Sequence, residues 1–347
     1  MPDAATMPAV VIQTAFLGDV VLTTPLLETL ARRHGPVDVV TTPAAAPLLA
    51  THPAVRRVIP FDKRGADRGL SGLLALARRL RAERYDVAYL PHRSLRTAVL
   101  AWLACIPRRV GFRDGWPLCY TETRRRPQGR EGGGHEVDRL LALVSDRAAA
   151  AMPSLVTSQA DRAATEAWLR EHDVSQPFVA LAPGSIWGTK RWPYYKDLAV
   201  RLSARAAIVT VGGSEDATLG EEIVRAVEGG RGRSRAVNAS GRLTVRQSVE
   251  VIRRAALLVT NDSAPLHFAQ AVGTPTVAIF GSTVPAFGFG PRGPRDRVVE
   301  LAGLACRPCS AHGPPSCPLG HHRCMKALTV EDVLRAIEET DALRGRG

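Results

Sequence analysis

Lysine is scarce in this 347-residue chain: Lys63, Lys190, Lys196 and Lys326 are the only ones, so nearly all of the 46 basic residues are arginine. Against 33 acidic residues they leave a formal net charge of +13. A basic surface attracts polyanions, whether nucleic acid, an anionic membrane leaflet or a phosphorylated substrate. The arginines are scattered along the chain, however, which suits a compositional habit as well as a binding surface. Aromatic residues make up only 5%, few for stacking bases, and no DNA- or RNA-binding module is recognisable, so no nucleic-acid partner is expected. Long apolar runs are missing too. Ala98–Ile106 is the longest, far short of the roughly 20 residues of a membrane helix. The N-terminus has no basic stretch followed by an apolar core, so no secretory signal and a cytoplasmic location are expected. Neither G-x-G-x-x-G after the first strand nor G-x-x-x-x-G-K-[ST] anywhere is present, which counts against a dinucleotide oxidoreductase and a Walker-type nucleotidase.

What is present is an ordinary globular composition, 45% hydrophobic and 23% charged, able to bury a core. That excludes a disordered chain, a collagen-like repeat and a small disulfide scaffold. The length favours two domains. Apolar, β-branched runs at Ala9–Thr14, Val37–Thr41, Val55–Phe61, Val87–Leu90 and Arg109–Phe112 alternate with helical spacing over Val20–Arg33, Leu73–Arg84 and Leu95–Ala104. Strands alternating with helices predict a parallel sheet covered on both faces. Between Arg113 and Gly134 the pattern fails, and the arginine triplet Arg124–Arg126 with the glycines 132–134 reads as a long loop. After a helix near Glu136–Val144, the Ala/Pro/Ser-rich stretch Ala148–Ser158 and a helix over Gln159–Glu171, the alternation restarts. Strands are expected at Phe178–Ala182, Ala207–Val211, Leu257–Thr260 and Thr276–Phe280, and a closing amphipathic helix at Val330–Leu343. The fold class is thus α/β, with Rossmann-like domains over 1–160 and 175–325 and a C-terminal segment 326–347 expected to pack back toward the first domain. Two such sheets facing each other would place a ligand cleft at the carboxyl ends of their strands.

The chemistry-bearing residues sit in loops after strands. Asp19 follows Gly18 at a strand-to-helix turn, as a helix cap or as a general base. The loop Pro183–Pro193 supplies Ser185, flexible glycines and the Lys190-Arg191 pair, the parts of an anion site, or merely a solvated basic turn. Asp262, Ser263, Ala264 and His267 surround the start of a helix whose free N–H groups attract a diphosphate, although Pro265 removes one donor. The bland alternative is an N-cap with a packed histidine behind it.

Taken together, Leu17-Gly18-Asp19-Val20-Val21-Leu22-Thr23-Thr24-Pro25, His92-Arg93-Ser94, Lys190-Arg191-Trp192-Pro193, Asn261–His267, Gly273-Thr274-Pro275 and Phe280-Gly281-Ser282-Thr283 resemble, in order and spacing, the family 9 glycosyltransferases. These are the bacterial heptosyltransferases of lipopolysaccharide core assembly, and the chain is most similar to their heptosyltransferase II group. The resemblance spans nearly the whole chain. It implies a GT-B fold, an ADP-L-glycero-β-D-manno-heptose donor, a Kdo-lipid A or growing inner-core acceptor, inversion at the anomeric carbon and no metal required for catalysis. It implies that Asp19 is the base, that Ser185 and Lys190 meet the phosphates, that Asp262 holds the sugar and that the loop through His267 wraps the diphosphate. Glu215, after Gly212-Gly213-Ser214, would meet the ribose. Ala264 stands where the family often has glycine, which narrows the room for phosphate against the backbone.

On the acceptor side, Arg93 and Arg96, with the Arg124–Arg126 loop, are candidates for carboxylates or phosphates of the core; solvated surface arginines are the alternative. A lipid-linked acceptor and the positive charge together suggest peripheral attachment to the inner membrane face. Finally, Cys306-x2-Cys309-x7-Cys317-x6-Cys324 puts four thiols close together, which in a reducing compartment suggests a tetrahedral structural zinc, less readily an iron–sulfur cluster, or else four reduced thiols in a packed loop. Another sugar donor or acceptor within the same family, and a basic nucleic-acid-binding protein, remain the rival functions.

Overall fold

The computed structural model describes residues 8–127, 134–144, 151–230 and 235–343. The glycines at 132 and 133 and the stretch 148–150 of the expected linker lie outside them. The chain divides into two compact units, Met1–Val156 and Thr157–Gly347, each with its own sheet.

In the first unit the elements run β1 (Ala9–Ile12), α1 (Leu17–Leu22), α2 (Thr24–His34), β2 (Val37–Thr41), α3 (Ala46–Leu49), β3 (Val55–Pro60), α4 (Gly69–Ala82), β4 (Val87–Leu90), α5 (Leu95–Leu103), β5 (Arg108–Phe112), β6 (Glu122–Arg124) and α6 (Glu136–Leu141). The sheet order is β3-β2-β1-β4-β5-β6, and neighbours pair in parallel. Strands β1, β2 and β4 are buried along their whole length, as central parallel strands covered on both faces must be. Edge strand β3 is largely exposed, and its Arg56 and Arg57 both reach the buried carboxylate of Asp38 on β2. The helical pattern expected over Val20–Arg33 is two helices, because Pro25 has no N–H with which to continue the first. The segment expected to be a structureless loop holds a 3₁₀ turn at Pro117–Cys119 and the edge strand β6.

The second unit repeats the plan with α7 (Gln159–Glu171), β7 (Phe178–Ala182), α8 (Tyr195–Leu202), β8 (Ala207–Thr210), α9 (Ala217–Glu228), β9 (Ala236–Asn238), α10 (Val245–Arg254), β10 (Leu257–Asn261), α11 (Ala264–Val272), β11 (Thr276–Phe280), β12 (Arg297–Glu300), α12 (Arg323–Lys326) and α13 (Val330–Glu338). Its sheet order is β12-β11-β10-β7-β8-β9, again parallel throughout. In both sheets the chain starts in the middle, builds outward to one side and then crosses to the other. This is the Rossmann order, with a crevice where the direction reverses: between β1 and β4 in the first sheet and between β7 and β10 in the second. Val333, Ala336 and Ile337 of α13 are buried with Leu198, Leu202 and Met325 in the core of the second unit, because its apolar stripe completes the layer over β11 and β12.

Candidate functional site

At the switch point of the second sheet, β7 leads into the loop Pro183–Pro193 and β10 into Asp262. The structure brings these loops together. Lys190 Nζ donates to Asp262 Oδ2 at 2.7 Å, with both side chains buried. Thr283 Oγ1, just past β11, donates to the same oxygen at 2.6 Å. A buried ammonium is costly without a partner, so this carboxylate is what makes Lys190 tenable there. Asn261, fully buried at the end of β10, fastens both ends of the lysine loop. Its Nδ2 donates to the carbonyls of Pro183 at 2.8 Å and Gly184 at 3.3 Å, while its Oδ1 accepts from Trp192 N–H and the Tyr195 hydroxyl, both at 3.2 Å. The middle of the loop is braced from the cysteine-rich segment. Thr189 Oγ1 donates to Pro314 O at 2.6 Å, and His322 Nε2 lies 2.9 Å from Thr189 O. Gly313 permits this contact with φ at +80°; a Cβ there would sit 2.6 Å from Ser282 Oγ.

Ser185 is half-buried in the loop, its Oγ accepting from Trp187 N–H at 3.3 Å. Ser263 is the N-cap of α11 in extended backbone and makes no side-chain cap; Pro265 has no N–H and Leu266 N–H donates to Ser263 O at 3.1 Å, so the first turn offers the Ala264 N–H next in sequence to the Asp262 loop. His267 is buried in the same helix, its Nδ1 at 3.1 Å from Gln270 Oε1. Burial holds its pKa below the usual histidine value and the ring neutral. Glu215 is exposed on the turn after β8. Its neighbour Asp216 is buried against Gly184 and Gly212, with Oδ2 accepting from Gly213 N–H at 3.2 Å and Oδ1 buried without a hydrogen-bond partner. Burial and the adjacent Glu215 raise its pKa. Asn261, Asp216, Thr189 and Thr283 are polar residues of the site to which the sequence reading assigned no role, although a polar side chain ending a buried strand or sitting between glycines is itself a signal.

In the first unit Asp19 stands in the first turn of α1, after β1. Phe16 N–H donates to its Oδ2 at 3.2 Å, so the carboxylate does reach back to the helix N-terminus. Burial, and then repulsion from Glu136, push its pKa up to about 6, against opposing pulls from that hydrogen bond and from Arg126. Arg126, read as an acceptor contact or else a solvated arginine, is tied to Glu136 and lies over Phe112, 5.8 Å from the ring centre; Arg124 pairs with Glu122. Past β4, burial with the charges of Lys63 and Arg93 drives the pKa of His92 down to about 4. Lys63 Nζ donates to Thr14 O at 2.7 Å, and Arg96 donates to Lys63 O at 3.3 Å. Arg93 already has a carboxylate partner in Asp114, at 2.8 Å.

All six cysteines are free thiols. Among the described residues no three His, Cys, Asp or Glu side chains are gathered as metal ligands, so Cys306, Cys309, Cys317 and Cys324 do not form a ligand set in this arrangement. They do interact. Cys317 Sγ accepts from His322 N–H at 3.4 Å, which lowers its pKa, while burial followed by the nearby Cys309 pushes Cys324 up to about 11.

The sequence profile of glycosyltransferase family 9 (heptosyltransferase) matches residues 73–316. Lipopolysaccharide heptosyltransferase 2 of Salmonella typhimurium is 29% identical over 326 residues, covering 85% of this chain and 88% of that protein. Lipopolysaccharide heptosyltransferase 1 of Pseudomonas aeruginosa is 30% identical over 320 residues, covering 87% and 86%. The solved structure of ADP-heptose lps heptosyltransferase II from E. coli superimposes with a TM-score of 0.78 at 25% identity, covering 97% of this chain and 99% of that one. The two Rossmann-ordered sheets are accordingly of the GT-B type.

Proposed function

This chain belongs to glycosyltransferase family 9, and from that membership we propose that it moves L-glycero-D-manno-heptose from ADP-heptose to the inner core of lipopolysaccharide. The observation that carries the reading is the buried Lys190–Asp262–Thr283 cluster beside the open N-terminus of α11. It offers a positive point charge and a backbone donor to a leaving diphosphate, at the switch point where such sheets bind ligands. The names of the relatives support the donor and acceptor.

In the proposed reaction Asp19 takes the proton of an acceptor hydroxyl as that oxygen attacks the anomeric carbon from the face opposite the diphosphate. The bond from that carbon to the diphosphate oxygen breaks, its electron pair leaves with ADP, and the new bond has inverted configuration. Lys190, Ser185 and the Ala264 N–H at the start of α11 stabilise the charge growing on the leaving group. Asp262 spends one oxygen on Lys190 and Thr283 and offers the other to a sugar hydroxyl; Glu215, on its exposed turn, takes the ribose. Arg93 and Arg96 form the acceptor side.

The test is acceptor-dependent ADP release from ADP-heptose with mono-heptosylated Kdo-lipid A. Asp19→Ala is expected to lower kcat by roughly a thousandfold, within the usual range for losing a general base; a near-wild-type rate would remove Asp19 from that role. The same assay with Kdo-lipid A lacking heptose separates addition of the first heptose from the second, a distinction raised by the similarity to a heptosyltransferase 1. If the wild type binds ADP yet releases none with either acceptor, another donor or acceptor is in use. The four thiols carry a narrower proposal, a structural zinc for which their sulfurs would have to draw together. Metal analysis of protein purified without chelator is expected to read about one zinc per chain for a tetrathiolate site, and finding no metal retires it.

A further inference from the structure

The cover of the first sheet carries an apolar surface that the donor and base sites do not use. Helices α4 and α5 and the 3₁₀ turn at Pro117–Cys119 connect β3 through β6 on one side of that sheet, and α5 packs against both α4 and the turn. The inner face of α5 is core, with Ala98, Leu100 and Ala101 fully buried. Its outer face, where a surface helix ordinarily turns polar residues to water, presents Leu95 and Trp102 at i and i+7, with Val99 between them partly buried against the core. Trp102 is 55% exposed and Leu95 nearly half exposed. Beside it the turn projects Leu118, 99% exposed, next to the half-exposed Trp116. Single exposed apolar residues need no explanation, but two tryptophans and two leucines on adjoining elements form a patch.

The two helices of that patch are basic, while Asp114, just before Trp116, is paired with Arg93 and Glu83, at the end of α4, with Arg57. Neither α4 nor α5 contains an acidic residue. Along α4 the exposed stripe passes from Leu70 and Leu74 to Arg78 and Arg81. We propose that this face docks on an anionic lipid bilayer, with Trp102 and Leu118 inserted at the level of the headgroups and the α4 arginines on the lipid phosphates. Tryptophan suits that depth because its ring is apolar and its N–H polar. Insertion together with basic charge supplies the two signals that reversible membrane binding needs. A second copy of the chain is a poorer occupant, since two such faces would bring arginine against arginine. The proposal goes beyond the transfer reaction and does not depend on it, because the lipid surface itself is the ligand.

The experiment is co-sedimentation of the full chain with vesicles of phosphatidylethanolamine and phosphatidylglycerol, beside vesicles of phosphatidylcholine alone. The wild type is expected to sediment with the anionic vesicles, less with the neutral ones, and less at high salt, where screening shortens the reach of the arginines. The double variant Trp102→Glu, Leu118→Glu is expected to lose about tenfold or more in partitioning, as two buried apolar groups become charged ones. Its thermal shift with ADP should match the wild type, showing that it is folded. Equal sedimentation of variant and wild type, or a wild type that stays in the supernatant, overturns the proposal. So does a wild-type dimer that the variant converts to monomer with no change in vesicle binding, which assigns the face to a second copy.

Discussion

Asp19 is a carboxylate whose ionisation the fold resists. Its pKa of about 6 in the folded chain lies above the ordinary 3.8, so between those values the folded state holds a proton that the unfolded chain has released. Stability contributed by that proton is full at low pH and lost as pH rises through about 6. Asp19→Asn is therefore expected to melt higher than the wild type at about pH 8, by up to about 3 kcal/mol, with the gap closing near pH 4. Activity runs the other way. As the proposed base, Asp19 must be ionised, so kcat/KM should rise with pH through an apparent pKa near 6. Glu136→Gln removes the repulsion that raises Asp19 and releases Arg126, so this limb is expected to shift to lower pH in a pH–rate profile. An unshifted limb would detach Glu136 from the site. At the second site Lys190→Ala leaves Asp262 buried without its cation, and should cost about 3 kcal/mol in denaturant unfolding besides weakening ADP binding.

The lysine loop is held by its ends and its middle, and the end fastening is concentrated in one residue. Asn261→Ala leaves the Pro183 carbonyl, the Trp192 N–H and the Tyr195 hydroxyl without their partner at once. The expected outcome is a loss of about 2–4 kcal/mol in thermal or urea unfolding, together with weaker ADP binding, since each orphaned buried group carries its own desolvation cost. Little of this was legible beforehand. Strands such as Phe178–Ala182 and Thr276–Phe280 announce themselves as unbroken apolar runs because both of their faces are buried. Strands β6 and β9 have only three residues each, too few to show a period, and their pairing is decided by the neighbour that each finds in the sheet.

Each unit has a core of its own, and that of the second runs from Val179 to Ile337. Cores that close within each unit predict that residues 157–347 expressed alone fold cooperatively and bind ADP, measurable as a melting transition that ADP raises. Failure to fold would show that the first unit completes the second. The closing helix is part of this argument, because α13 belongs to the second core; truncation before Val330 is expected to abolish folding of the fragment.

The order of apolar runs, glycine turns and prolines determined by itself the α/β class, the doubled plan and the loops where Asp19, Lys190 and Asp262 stand, because strand and helix periods and post-strand loops are local properties of the chain. Only the tertiary structure decided that Lys190 and Asp262 share a hydrogen bond across 72 residues, that Asn261 ties the loop shut, that Arg126 is spent on Glu136, and that Asp19 titrates near 6. Each of these follows from burial and from the polar or charged neighbour that packing supplies. Burial and neighbour are set by which strands lie side by side in the sheet, and no run of consecutive residues carries that information.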